Sequence, residues 1–183
     1  MSDKEIFLQK ESFVIRKNFF MMFLFALLFA TDICSAAEVR VSDYGVDGLV
    51  ARYNEIAETD AKINPTPKFI EKINIEGYLY DAHAFEFLNG NTSVQIILLA
   101  TPDGYVSKIM IMGYMTENLA KASSTMLVAL GLNGDEYTNL VNSWKDNDFN
   151  SQVWCSAKQR YIRHEMNHVR DGIYCIILSA FKN

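Results

Sequence analysis

Residues 94–115 read VQIILLATPDGYVSKIMIMGYM, and this stretch decides the fold. Val94-Gln95-Ile96-Ile97-Leu98-Leu99 is an almost unbroken apolar run, too short for an ordinary helix and rich in β-branched residues. Such a run predicts a central strand covered on both faces. Pro102-Asp103-Gly104 is a turn signal. Beyond it Val106, Ile109, Ile111 and Tyr114 belong to a second strand, again rich in β-branched and aromatic residues.

The strand pattern extends upstream. Ile73, Ile75, Tyr78 and Tyr80 open it, Phe85 and Phe87 continue it, and Asn89-Gly90 supplies another turn. Three or four antiparallel strands result. Before them, Pro65-Thr66-Pro67 breaks any helix. Val46, Leu49, Val50, Tyr53, Ile56 and Ala57 recur every three or four residues, one face of a helix.

Two helices follow the strands. Thr116 is placed to cap the first, whose stripe is Leu119, Ser123, Met126, Leu127 and Leu130, with Gly131 to end it. Asp135 is placed to cap the second, which carries Tyr137, Leu140, Val141 and Trp144. Strand-like runs at Gln152 to Ala157 and Ile173 to Phe181 finish the chain. The expected fold is α+β: an antiparallel sheet of about five to six strands, helices on one face, order α-β-β-β(-β)-α-α-β-β.

The N-terminus reads as a targeting segment. Arg16-Lys17 is basic, Phe19 to Ala30 is wholly apolar, and Ser35-Ala36-Ala37 offers small residues for a signal peptidase. Twelve apolar residues fall short of the roughly 20 needed to cross a bilayer as a helix. The expectation is a cleaved signal peptide at 1–37, a single domain at 38–183 and a periplasmic or secreted location. No stable membrane span is expected after cleavage.

Cys34 leaves with the signal, and Cys155 and Cys175 remain. Two cysteines in an exported chain predict one disulfide, which would add roughly 3 kcal/mol by constraining the unfolded chain. Residues 38–183 hold 13 Lys and Arg against 18 Asp and Glu, a net charge of −5. That balance excludes nucleic acid as an expected partner and argues against a polybasic membrane-surface protein.

His164-Glu165-Met166-Asn167-His168 is an HExxH sequence. Over these five positions the chain resembles the zinc metallopeptidases. The resemblance implies Zn²⁺ held by His164 and His168, with Glu165 as general base. Only 15 residues follow His168, so a third ligand must be Asp171 or His83.

The cysteines bear on the same stretch. Their midpoint is residue 165, which would put His164-Glu165-Met166 at a hairpin tip. Asp171-Gly172 could be a tight turn instead, but that would set Cys175 opposite His168, far from Cys155. A short helical turn ending at Gly172 accommodates both.

Other groupings are locally basic or soft. Lys158, Arg160, Arg163 and Arg170 could dock an acidic partner. Met110, Met112 and Met115 with Tyr114 could line an adaptable groove. The expectation is a small exported binding protein that acts on a protein partner, as an inhibitor, immunity-type or accessory factor, without a cofactor. A zinc metallopeptidase is the alternative.

Overall fold

In the computed structural model the chain divides into two units, Met1–Cys34 and Ser35–Asn183. The described residues are 39–75, 77–88, 94–144, 147 and 149–181, all in the second unit. The expected signal peptide, its cut after Ala37, Cys34 and the Asn89-Gly90 turn therefore lie outside the described residues.

The fold is α+β. Helix α1 (Val46–Ile56) and a 3-10 turn (Thr59–Ala61) precede strands β1 (Phe69–Ile75), β2 (Tyr78–Phe85), β3 (Val94–Ala100) and β4 (Val106–Tyr114). Helices α2 (Glu117–Ala129) and α3 (Gly134–Trp144) follow. Strands β5 (Ser151–Cys155), β6 (Arg160–Arg170) and β7 (Ile173–Phe181) complete the chain. All seven strands form one antiparallel sheet in the order β1-β2-β3-β4-β7-β6-β5. The count exceeds the expected five or six because residues 160–170 form an additional strand.

The described helices gather on one face. Leu49, Val50 and Tyr53 of α1, Leu119, Met126 and Leu127 of α2 and Leu140 of α3 share a core with Phe85, Ile96, Leu98, Ile109, Ile111, Ile162 and Leu178. Burying one such side chain contributes about 1.5–3 kcal/mol, so this layer dominates the stability. The centre of the second face is apolar and buried too, with Ala82, Ala84, Ile97, Leu99, Met110, Met112 and Ile177. Every residue of β3 is buried, Gln95 included, as its almost unbroken apolar run requires.

Local chemistry sets the helix ends. Gly131, at φ 104°, ends α2 in the left-handed region that glycine enters without steric cost. The cap of α3 is Asn133, not Asp135. The Asn133 side chain accepts the Glu136 N–H at 2.9 Å, and the Glu136 carboxylate accepts the Asn133 N–H at 3.0 Å. This reciprocal capping box fixes the start at Gly134, two residues earlier than an aspartate cap at 135 would.

The expected Cys155–Cys175 disulfide is absent: both cysteines are free and buried. Cys155 lies opposite Arg160 and Cys175 opposite Asn167, on the two sides of β6. Seven residues of extended chain part those positions, about 23 Å, whereas a bridge needs Cα atoms within about 7 Å.

Candidate functional site

The HExxH residues lie in the middle of a strand. Arg160, Ile162, His164 and Met166 of β6 face the helices, while Tyr161, Arg163, Glu165 and Asn167 face away. The expected short helical turn is thus replaced by extended chain, paired along its length by β7 and, up to His164, by β5 on its other edge. The turn after it is Asp171-Gly172 itself. Both residues have positive φ, 46° and 77°, as a tight two-residue hairpin turn demands. A register shift between His168 and Arg170 brings Cys175 opposite Asn167 and His168 opposite Tyr174.

This geometry separates the three motif side chains. His164 and Glu165 point to opposite faces. His164 and His168 share a face but stand four residues apart on extended chain, about 13 Å, and side chains of a strand rise roughly parallel. One zinc ion sits about 2 Å from each ligand nitrogen. The two imidazoles therefore do not converge. His83 is on β2, four strands away across the sheet. Asp171 is in the turn. Among the described residues no three His, Cys, Asp or Glu side chains gather at metal-holding distance.

His164 is a core residue. It is 1% exposed, its ring lies against Trp144 with centroids 4.6 Å apart, and its Nδ1–H donates to the Phe149 carbonyl at 2.9 Å. Its Nε2 and the Trp144 Nε1 have no hydrogen-bond partner among the described residues. Burial disfavours the imidazolium and lowers the His164 pKa, against the opposing pull of the Phe149 carbonyl. His168 is exposed beside Tyr174, ring centroids 5.1 Å apart.

The basic group is mostly committed internally. Arg160, 9% exposed, donates to the Arg40 carbonyl and to Asp43, and Lys158 pairs with Asp43 at 2.8 Å. Burial raises the Asp43 carboxyl, but Lys158 and Arg160 together outweigh it and hold it below the ordinary value. Arg163 lies 4.9 Å over the Phe181 ring and 3.8 Å from Glu165. Met110 and Met112 fill the second face, while Tyr114 and Met115 are exposed. The four do not form one groove.

A different set of residues is assembled where β5, β6 and β7 lie side by side. Trp154 is opposite Tyr161, and Tyr161 is opposite Phe181, all on the outer face. Trp154 meets Tyr161 edge-on at 5.1 Å, and Tyr161 stacks on Phe181 at 5.2 Å and 12°. Arg163 covers the Phe181 ring from the next position. Trp154 remains 39% exposed. Sequence reasoning missed this row because it depends on the β5–β6 and β6–β7 registers, which exist only if residues 160–170 are a strand. The signal was the alternation of Tyr161, Arg163 and Glu165 with Ile162, His164 and Met166.

Comparisons with protein-family models, curated proteins and solved structures return no match for this chain.

Proposed function

We propose that the protein is an exported binding protein that engages a protein partner through the outer face of β5–β6–β7. The observation that carries the reading is the row Trp154–Tyr161–Phe181 with Arg163 laid over its end. Trp, Tyr and Arg are the residue types that contribute most at protein interfaces, because each adds a large rigid surface with a polar edge. Here the cross-strand stacking already holds the rings in place, so little side-chain freedom is lost on binding.

Export rests on the basic, apolar and small-residue succession of Arg16-Lys17, Phe19 to Ala30 and Ser35 to Ala37. Val39, two residues past the expected cut, bridges to Ala180, and Arg40 pairs with Asp103 and lies 3.5 Å over Tyr105. Cleavage after Ala37 leaves these anchors on the mature chain. An inhibitor, an immunity-type protein or an accessory factor would each use such a face.

The test is site-specific photo-crosslinking in cells. A photoreactive residue replaces Trp154, and a control replaces exposed Lys72 on the opposite edge of the sheet. The reading expects one discrete adduct from position 154, weakened by Tyr161→Ala, and none from position 72. Equal labelling at both positions, or none at 154, contradicts it.

A further inference from the structure

We propose that His164 and the segment Phe149–Asn150 form a pH-sensitive latch that holds the end of α3 over β5, and that protonation of the imidazole opens it. The inference does not depend on what the outer face binds.

Among the described residues three side-chain hydrogen bonds tie the end of α3 and its loop to the sheet, while within the loop the Phe149 N–H donates to the Trp144 carbonyl at 3.0 Å and the Asn150 N–H to the Asn147 carbonyl at 2.8 Å. His164 Nδ1–H donates to the Phe149 carbonyl, the Met166 N–H donates to Asn150 Oδ1 at 3.0 Å, and Ser143 of α3 hydrogen-bonds Ser151 of β5. Phe149 sits at φ 65°, a left-handed conformation unfavourable for a residue with a side chain. Two buried polar atoms, Trp144 Nε1 and His164 Nε2, have no hydrogen-bond partner among the described residues. Leaving such atoms unsatisfied works against the closed state. The segment is therefore held against its own local preference.

The chemistry of opening follows from the tautomer. With Nδ1 donating to a carbonyl, the neutral ring carries its lone pair on Nε2. A solvent proton that adds there creates a second N–H and a full positive charge. Nothing described around the ring receives either. α3 presents Ser143 and Trp144, the loop Phe149, β5 Ser151 and β7 Leu178, none of which carries a charge. The described carboxylates of α3, Asp135 and Glu136, are at its far end, and Arg163 and Glu165 face the other side of the sheet. Lys145, Asp146 and Asp148 lie outside the described residues. Burial favours the neutral ring, so the closed state is complete above the ordinary histidine pKa of about 6.5 and is lost as the pH falls below it.

The test uses Trp144 as reporter, in a Trp154→Phe background where it is the sole tryptophan. Acidification below about pH 6.5 should shift its emission to longer wavelength while far-UV circular dichroism stays unchanged. His164→Phe should abolish the shift, and His83→Gln and His168→Gln should leave it. Should His164→Phe fail to fold, ¹⁵N imidazole spectra of the unaltered protein decide. They should report the Nδ1–H tautomer when neutral, with protonation coincident with the Trp144 change. Constant Trp144 emission, an Nε2–H tautomer, a shift that survives in folded His164→Phe, or a shift that comes only with loss of circular dichroism would overturn the latch.

Discussion

Cys155 and Cys175 occupy opposite faces of the sheet on strands that β6 keeps apart. Cys155 joins the core beneath the helices, while Cys175 lies beside Met112 on the second face. Both thiols are buried, and burial raises both pKa values, that of Cys175 to about 12. The thiolate is the reactive form. Protein comprising residues 38–183 should therefore react negligibly with a thiol reagent when native, and both cysteines should react once it is denatured under non-reducing conditions. A reading of no thiols in denaturant would contradict this arrangement of strands.

Glu136 ties α3 to the turn after β5. Its carboxylate caps the helix through the Asn133 N–H and accepts the Ser156 N–H at 2.8 Å. Burial raises its pKa, but these hydrogen bonds outweigh that and leave it below the ordinary value. A depressed carboxyl contributes stability that is full above about pH 4.3 and fades as the pH falls further. Glu136→Ala should cost about 1–2 kcal/mol in urea unfolding at neutral pH, with a smaller difference in acid. Equal stability of the two proteins at neutral pH would show that the box contributes nothing.

The β6–β7 hairpin turns on a glycine. At φ 77° Gly172 is left-handed, and an added Cβ would meet only the Tyr114 ring at 3.8 Å, an ordinary contact. The cost of a side chain there is thus backbone strain alone. Gly172→Ala should lower stability by about 1–2 kcal/mol. Asp171→Asn should be nearly neutral, since asparagine tolerates the same region. If Gly172→Ala is neutral by thermal unfolding, the turn is not the one described.

Much of this fold is legible in the sequence. Three- and four-residue apolar spacing marks α1, α2 and α3, and the apolar runs around Asp103-Gly104 mark β3 and β4. The strand at 160–170 is harder to see because its inward positions carry Arg160 and His164 beside Ile162 and Met166. Those polar side chains are accommodated by Asp43 and by the Phe149 carbonyl, which are long-range partners that no local pattern reveals. The HExxH spacing also suits a helix as well as it suits chance alternation on a strand. A presumed disulfide then favoured the wrong turn, while Asp171-Gly172 carried the correct signal. The aromatic row could not be read before that register was known.

Residues 164–168 form a strand with its side chains divided between two faces, in place of a zinc-binding helix. The metal content of protein comprising residues 38–183 after equilibration with zinc, measured by elemental analysis alongside Glu165→Ala, tests this. Two histidines about 13 Å apart and a glutamate on the reverse face cannot share one ion. The protein should hold no stoichiometric zinc, and Glu165→Ala should leave its biological activity unchanged. One zinc per chain, lost in both His164→Ala and His168→Ala and accompanied by a peptidase activity that Glu165→Ala abolishes, would contradict it.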